Sequence, residues 1–260
     1  MIKALYTAAT GMRANQTRID VISNNLANVN TSGFKKSTVN FQDLLYSTME
    51  QPGAQNADGS TRPTGLQVGA GSRMVSTAKV YTPGVLEETG RDLDLTITGD
   101  GFFKFQDLAG AAVFSRDGNL HIDSEGQIVN SQGLKLDPAL TIPQGAKIAI
   151  SADGTITSKV GDQVASTVGR IQLSSFRNPT GLEALGGNLL RESVASGAET
   201  TGNPGEQGYG SIIQGFLERS NVEVVDELVD LIVAQRAYEI NSRAIRAADD
   251  MLTTVNQTVQ

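Results

Sequence analysis

The chain has 260 residues, of which 39% are hydrophobic, and carries a net charge of −7 at neutral pH with one histidine and no cysteine. This composition suffices for one or two ordinary hydrophobic cores. It excludes disulfides and thiolate chemistry, and no apolar run approaches the roughly 18 residues that a membrane-spanning helix needs. Arg13 and Arg18 interrupt the first apolar stretch too early for a cleavable signal peptide, so none is expected.

Near the N-terminus, apolar and small residues recur at alternating steps of three and four. This spacing predicts a helix from about Lys3 to Asn28, with a narrow seam for a partner helix. The seam comprises Leu5, Ala8, Met12, Asn15, Ile19, Ile22, Leu26 and Val29. Gly11 costs about 1 kcal/mol relative to alanine inside a helix, so this helix is expected to form only when it packs.

Residues 47–71 are rich in Gln, Gly, Ser, Thr and Pro and contain few apolar residues. Such a composition is typical of a flexible loop. Loops of this length between ordered segments are uncommon and are often functional, so the alternative is a segment that a neighbouring molecule orders.

The middle of the chain alternates short apolar runs with turns such as Asp-Gly and Glu-Gly. The runs lie at 92–98, 102–105, 113–114, 120–122, 127–129, 134–136 and 148–150, with a returning strand at 210–216. Strands this short and closely spaced predict an antiparallel meander or a small sandwich. In the first run, polar residues alternate with Leu93, Leu95 and Ile97, which predicts that Asp92 and Asp94 lie on an outer, polar face.

A second helix, about 57 Å long at 1.5 Å per residue, is predicted to occupy the C-terminal end of the chain. Ser220 and Glu223 have the spacing of a capping box at its start. Its seam comprises Leu231, Ala234, Tyr238, Asn241, Ile245, Ala248, Leu252, Val255 and Val259. Residues 1–36 carry a net charge of +4 and residues 221–260 carry −4, so the two helices should attract each other. The middle carries the remaining −7, which argues against nucleic acid and anionic membranes as partners.

The residue types that carry chemistry do not form a recognisable site. His121 lies between Leu120 and Ile122 in a predicted strand, so it would face solvent. Asp249 and Asp250 are adjacent on a helix and about 100° apart, so they cannot face one substrate together. Without cysteine or a carboxylate cluster, the sequence predicts no catalytic residue, no metal site and no cofactor.

Three segments resemble signatures of the bacterial flagellar rod and hook axial proteins. The run ISNNLANVNTSGFK at 22–35 resembles the N-terminal signature, and 220–239 with 250–252 resembles the C-terminal one. Residues 94–103 and 115–118 resemble the family's central domain, so the similarity covers nearly the whole chain. The motif residues are Asn24, Asn25, Leu26, Ala27, Asn28, Thr31, Gly33, Phe34, Gln235, Arg236, Tyr238 and Asn241. The cluster of asparagines is open to two interpretations, a helix stop or amides that bind adjoining chains.

The expected fold class is α+β, with the terminal helices packed as a coiled-coil-like terminal domain and a central antiparallel β-rich domain. Residues 1–36 and 220–260 are expected to form the two halves of the terminal domain. Residues 37–75 would be an extended linker carrying a distal-rod-type insertion at about 47–71, and 76–219 the central domain.

The resemblance implies a non-enzymatic structural subunit that polymerises helically into a rigid hollow drive shaft, transmits torque from motor to hook and passes exported subunits. The length and the segment at 47–71 most resemble the distal rod type, and proximal rod and hook-type subunits are the alternatives. The implied partners are further copies, proximal rod proteins, the hook protein, the P- and L-ring proteins, the rod cap and the flagellar type III export apparatus. The implied location is the basal body, from the periplasm to the outer membrane, after export without a cleaved signal and without membrane insertion.

The subunit interface is expected on the helical seams. The expected interface residues are Leu5, Met12, Ile19, Ile22, Leu26, Leu231, Tyr238, Ile245, Leu252 and Val255. An alternative of another class is a secreted adhesin or binding protein whose β domain stands on a coiled-coil stalk. An enzyme or polysaccharide-binding domain would need a convergent polar cluster that the sequence lacks, and an adhesin stalk would not need seams of matched opposite charge.

Overall fold

The computed structural model describes residues 2–53, 63–107, 110–161, 164–206 and 208–258, with all their side chains except those of residues 2, 255, 256 and 258. Within this described part the chain divides into two compact units. Unit 1 comprises residues 1–26, 37–78 and 223–260, and unit 2 comprises 27–36 and 79–222. The helices are α1 (Ile2–Ala27) and α2 (Val224–Thr258), and the strands of unit 1 are β1 (Ser37–Asp43), β2 (Tyr46–Glu50), β3 (Leu66–Gly69) and β4 (Ser72–Lys79).

Both terminal helices form close to the predicted positions. Near the end of α1, the amide of Thr31 donates to the carbonyl of Asn28 at 3.1 Å, and Gly33 adopts a left-handed conformation with φ of +68°. The capping box predicted for α2 is wrong, because the helix begins at Val224 and the Ser220 hydroxyl instead accepts from the amide of Val222 at 3.3 Å. Neither helix, over its described residues, is apolar enough for long enough to cross a membrane.

The four strands of unit 1 lie in two antiparallel segments of the chain, residues 37–50 with β1 and β2 and residues 66–79 with β3 and β4. Together the two segments form what is called here the ribbon. β1 pairs with β4, β2 pairs antiparallel with β3, and the amide of Leu44 donates to the carbonyl of Gly71 at 2.8 Å where the two ladders join. The sequence predicts a flexible loop over 47–71, whereas its described flanks are paired strands. Valine, tyrosine and threonine in these flanks favour extended structure in spite of the surrounding Gly and Pro. Residues 54–62, the centre of the predicted insertion, lie outside the described residues.

The ribbon runs alongside α1. At one end Asn25 exchanges two 2.9 Å hydrogen bonds with the backbone of Ser37, and at the other the ammonium of Lys3 donates to the hydroxyl of Ser47 at 2.9 Å. Between them Gly71 packs so tightly on Thr10 that a Cβ at residue 71 would overlap the Thr10 hydroxyl. The distance from Ser37 to Ser47 along a strand is about 33 Å, and 22 helical residues from Lys3 to Asn25 also rise about 33 Å.

Unit 2 contains the β-rich region. Its strands are β5 (Leu86–Glu88), β6 (Leu95–Thr98), β7 (Phe102–Gln106), β8 (Ala112–Ser115), β9 (Leu120–Ile122), β10 (Ile128–Asn130), β11 (Lys135–Leu136), β12 (Ala146–Ile150), β13 (Thr155–Val160), β14 (Ser166–Arg170), β15 (Leu173–Ser175), β16 (Glu183–Gly186), β17 (Leu189–Arg191), β18 (Thr200–Gly202), β19 (Ser211–Gln214) and β20 (Phe216–Glu218). A nine-stranded antiparallel sheet follows the order β16-β17-β8-β7-β11-β10-β9, with β15 added beside β7 and β18 beside β15. Smaller described sheets are β12-β13-β14, β19-β6 and β20-β5.

Two hydrophobic clusters fill unit 2. The larger includes the fully buried Phe103, Phe105 and Ile156. The smaller is aromatic, and the rings of Phe114 and Phe176 meet edge to face with centroids 4.8 Å apart. The central antiparallel β region flanked by terminal helices therefore confirms the α+β class.

One detail of the predicted strand at 92–98 is wrong. Asp94 is 1% exposed and Thr96 is fully buried, so the centre of this run does not present its polar side chains to solvent, whereas Asp92 is exposed as predicted. β6 pairs with β19 along one edge and lies close to β20, and Asp94 and Thr96 are buried in this packing although their alternation assigns them to water.

Candidate functional site

In unit 1 the two terminal helices pack in opposite directions. The guanidinium of Arg18 donates to Asp230 at 2.7 Å, and Asn25 donates to the carboxylate of Glu227 at 3.2 Å. Further along, a Cβ at Gly11 would lie only 3.0 Å from the amide nitrogen of Asn241. Gly11 therefore lowers the stability of α1 as an isolated helix but leaves room for the side chain of Asn241 on α2. The attraction predicted from the opposite net charges is realised in the pair of Arg18 and Asp230.

The predicted seam residues are only partly covered within one chain. Of the ten, Ile22 is buried. Leu5, Met12, Ile19, Leu26, Leu231, Ile245 and Leu252 are half-buried, and Tyr238 is 40% exposed. Val255 lies on α2, but its side chain is outside the described residues. The other buried seam residues are the small Ala8, Ala234 and Ala248.

A second apolar face of α2, called here the outer stripe, is absent from the predictions. It comprises Val225, Leu228, Val229, Ile232, Val233 and Ile240, which are between 42% and 69% exposed. At 3.6 residues per turn these positions lie about 100–180° around the axis of α2 from Ala234. The signal that could have revealed the outer stripe is a second set of apolar residues at steps of three and four, out of phase with the seam.

The motif asparagines have different roles. Asn25 is 2% exposed and ties α1 to both Ser37 and Glu227 of its own chain. In unit 2, Asn28 accepts from the amide and, at 3.2 Å, from the hydroxyl of Thr31, which fits the helix-stop interpretation. Asn24 is exposed on α1. The amide of Asn25 is therefore used within the chain, so the interpretation that it binds an adjoining chain is not needed for this residue.

The remaining motif residues lie in two places. Ala27, Gln235 and Arg236 are exposed, and Arg236 pairs with Glu239 on α2 at 3.1 Å. In unit 2 the ring of Phe34 lies 5.1 Å from the ammonium of Lys79, within cation–π range.

Three segments that are distant in sequence meet at a buried ion cluster in unit 2, called here the charge triad: Lys35, Arg116 and Glu218. Lys35 donates to one carboxylate oxygen of Glu218 at 2.6 Å, and Arg116 donates to the other at 2.8 Å. The three side chains are 3%, 7% and 2% exposed. Each of them falls inside or beside a segment that resembles a family signature, but sequence spacing does not show that they meet.

Backbone groups complete the triad. The guanidinium of Arg116 also donates to the carbonyls of Ile97, Gly99 and Gly101 at 2.6–2.9 Å. Lys35 donates to the carbonyl of Thr82 at 2.7 Å, and Glu218 accepts from the amide of Gly84 at 2.9 Å. Gly33 closes the site, because its amide donates to the carbonyl of Glu218 and a Cβ there would lie 2.6 Å from the amide nitrogen of Asp117.

Burial and charge act against each other in the triad. Burial would raise the pKa of Glu218, but the charge and hydrogen bond of Arg116, together with Lys35, outweigh it and lower that pKa. For Lys35, burial is stronger than the attraction of Glu218, and the nearby charge of Arg116 acts in the same direction, so the pKa of Lys35 is lowered. Arg116 is therefore the main cation that holds Glu218 ionised.

A second electrostatic feature lies beside the triad in sequence. Burial raises the pKa of Asp117, and the nearby Asp94 adds to this effect, against the amide of Asn119 and the charge of His121. His121 is exposed, as predicted, and lies 3.3 Å from the guanidinium of Arg91. Among the described residues, no three His, Cys, Asp or Glu side chains are grouped so that they could hold a metal ion.

Comparisons with known proteins match each of these regions. Residues 5–35 match the family described as flagella basal body rod protein, 96–158 the flagellar hook protein FlgE/F/G D1 domain, and 213–258 the flagellar basal body rod FlgEFG protein C-terminal region. The flagellar basal-body rod protein FlgG of Caulobacter vibrioides is 46% identical over 98% of this chain and 99% of its own length. FlgG of Borreliella burgdorferi is 43% identical over 98% of both chains.

A more distant relative is the flagellar hook-basal body complex protein FlhP of Bacillus subtilis, which is 33% identical over 98% of this chain and 99% of its own length. The similarity to the rod proteins thus spans the terminal helices, the charge triad and the β region together. The chain belongs to the flagellar basal-body rod protein family, whose members are structural proteins rather than enzymes, and it is a structural subunit of the flagellar rod.

Proposed function

We propose that the chain is a distal rod subunit that polymerises helically through its terminal helices into a rigid hollow drive shaft. The single observation that carries this proposal is the exposure of two apolar faces on α2, the partly covered seam and the outer stripe. A helix with apolar residues on opposite sides needs packing partners on both sides. α1 of the same chain supplies one of them, and a second copy would supply the other.

The geometry of such contacts suits an open polymer. The outer stripe of one subunit would pack against a different surface of the next, which is a heterologous interface, and heterologous interfaces that do not close produce helical assemblies. The half-buried seam residues, including Leu231, Ile245 and Leu252, would be buried fully in the assembled core. A coiled-coil-like arrangement shared between subunits follows from the same reasoning.

The ribbon supports a role in stiffening the shaft. It presents Leu45, Tyr46, Met49 and Leu66 with exposures of at least 51%, although it already packs on α1 through Ser37, Ser47 and Gly71. An apolar ribbon fixed to the helix and exposed on its other side could fill the space between stacked subunits. In this role residues 47–71 would act as the insertion that distinguishes the distal rod from the hook.

The place of the subunit in the basal body follows from the same proposal. Its contacts would be with proximal rod proteins, the hook protein, the P- and L-ring proteins, the rod cap and the type III export apparatus, after export without a cleaved signal. Residues 1–36, 37–75, 76–219 and 220–260 would then serve as N-terminal core, linker, central domain and C-terminal core.

Electron microscopy of the purified chain at high concentration tests the assembly proposal. We expect straight tubes from the wild type and dispersed monomers from Ile232→Glu, because a carboxylate on the outer stripe cannot be buried without a partner. Val164→Glu is the matched control, since Val164 is 93% exposed in unit 2, and it should still form tubes. Tubes from Ile232→Glu would exclude the outer stripe as an interface.

The ribbon is tested in the same assay. Replacement of residues 51–65 by Asn-Gly, which keeps a turn between the paired Glu50 and Leu66, should leave a tube that bends more easily. Its persistence length in micrographs gives the measurement. A tube as straight as the wild type would contradict the stiffening role.

A further inference from the structure

We propose that the charge triad is a completion lock, which prevents unit 2 from closing until the chain segment that carries Glu218 has arrived. Lys35 and Glu218 are 183 residues apart, and Arg116 and Glu218 are 102 apart. The two cations come from parts of the chain that are made early, and their shared anion comes from a part that is made late.

The two cations of the triad share an anion only when Glu218 is present. Glu218 accepts from a different cation on each carboxylate oxygen, at 2.6 and 2.8 Å. Without Glu218, Lys35 and Arg116 would be buried with no anion, and the charge of Arg116 acts against the charged form of Lys35. An incomplete chain therefore cannot form this part of unit 2 without burying two uncompensated charges.

The charge triad is connected to the hydrophobic core through Arg116. Arg116 directly follows β8, and its guanidinium binds carbonyls on both sides of the turn between β6 and β7. Those strands contribute the fully buried Leu95, Phe103 and Phe105 to the larger cluster. The position of Arg116 is thus linked to the packing of the central strands and not only to the surface around Glu218.

The segment that carries Glu218 packs tightly against its neighbours in unit 2. β20, which ends at Glu218, pairs with β5, and a Cβ at Gly84 would overlap the carbonyl of Arg219. The amide of Asn221 donates to the carbonyl of Val80 at 2.8 Å, and its oxygen accepts from the amide of Lys36 at 2.8 Å. The segment that carries Glu218 therefore contacts residues 30–36 and 80–88 at the same time. Its docking closes the site around the triad.

Pulse-labelling hydrogen exchange during refolding of the full chain tests the order of events. We expect peptides that cover β6 and β7 to gain protection in the same kinetic phase as a peptide that covers β20. Protection of β6 and β7 in a phase about tenfold faster than that of β20 would overturn the proposal, because the core would then close before Glu218 docks.

Equilibrium exchange of full-length variants tests the cause. Glu218→Gln should reduce the protection of β6 and β7 by about 100-fold or more, as expected when a buried ion pair loses one partner. The control Glu87→Gln removes an exposed carboxylate of the neighbouring strand β5 and should leave protection unchanged. Loss of protection confined to β5 and β20 in Glu218→Gln would show a local clamp and overturn the lock.

The double variant Lys35→Met with Glu218→Gln covers the case in which Glu218→Gln does not fold. It restores the net charge of the triad, so we expect protection at least about tenfold above that of Glu218→Gln. No recovery would overturn the proposal. These measurements use dissociated monomers, so they give the same answer whether or not the chain polymerises, and a failure of the lock is distinct from a failure of the proposed function.

Discussion

Unit 1 and unit 2 differ in how much of their apolar surface they bury by themselves. In the described chain, the buried hydrophobic side chains of unit 1 are Ala8, Ile22, Ala234 and Ala248, and the others belong to unit 2. Conversely, many large hydrophobic residues of unit 1 are exposed, and most of these lie on the ribbon and on the outer stripe of α2. Unit 2 can be stable by itself, whereas helices with one large buried side chain between them gain little from packing within a single chain. The difference supports the proposal that unit 2 supplies the folding stability and unit 1 the assembly surface.

The largest expected difference in the free energy of unfolding is between two aromatic-to-alanine substitutions, one in each unit. Phe103→Ala removes a fully buried ring of unit 2 and should lower the free energy of unfolding by about 3–5 kcal/mol. Tyr238→Ala on the seam of unit 1, where the side chain is 40% exposed, should cost less than about 1 kcal/mol in the monomer. Urea unfolding followed by circular dichroism measures both. Similar losses for the two variants would mean that the seam is already complete within one chain.

An intermediate effect is expected from acid, and two carboxylates of unit 2 should respond with opposite sign. The pKa of Glu218 is lowered from 4.5, so its contribution to stability is present above pH 4.5 and is lost as the pH falls through its folded pKa. The pKa of Asp117 is raised from 3.8, so its ionisation lowers stability as the pH rises from 3.8 through its folded pKa. Each can change the slope by at most about 1.4 kcal/mol per pH unit.

Unfolding measured between pH 3 and pH 6 distinguishes the two groups. The stability difference between wild type and Glu218→Gln should grow in favour of the wild type with rising pH. The difference between wild type and Asp117→Asn should move the other way. Parallel pH profiles for the two variants would contradict the assigned directions of the pKa shifts.

The smallest effect is expected at the ion pair between the two helices of unit 1. Arg18 and Asp230 are 37% and 52% exposed, and exposed pairs contribute about 0–1 kcal/mol. Arg18→Gln should therefore change the stability of the monomer by less than about 0.5 kcal/mol, and 0.5 M NaCl should remove most of that change. A loss above about 2 kcal/mol that persists in salt would show that water is excluded from the helix pair before assembly.

Local periodicity was sufficient to predict most of the elements. The two helices, the strands from 102 to 136 and the return of the chain at 210–216 follow from spacing alone, because each pattern is set by which side of the element faces apolar neighbours. Asp94 shows the limit of this reasoning. Its alternation with Leu93 and Leu95 indicates a polar face, but Asp94 is buried, and its burial depends on tertiary packing that the local pattern does not contain.

The candidate site was predicted only in part for the same reason. The seam is a periodic feature, so it can be read from the sequence. The charge triad brings together residues 35, 116 and 218. No local sequence pattern shows which charged residues are buried in the same site. The ribbon was missed because Gly, Pro and polar residues dominate its composition while its pairing depends on contact with α1.

The match between the ribbon and α1 sets a rule for changes in length. Their contacts at Asn25, Thr10 and Lys3 fix two elements that advance at different rates, about 1.5 Å per residue in the helix and about 3.3 Å in a strand. One residue added to each segment of the ribbon therefore adds about the same length as two residues added to α1. A rod with a longer α1 would need a ribbon lengthened in that ratio, and an insertion in either element alone would move the contacts beyond it out of register.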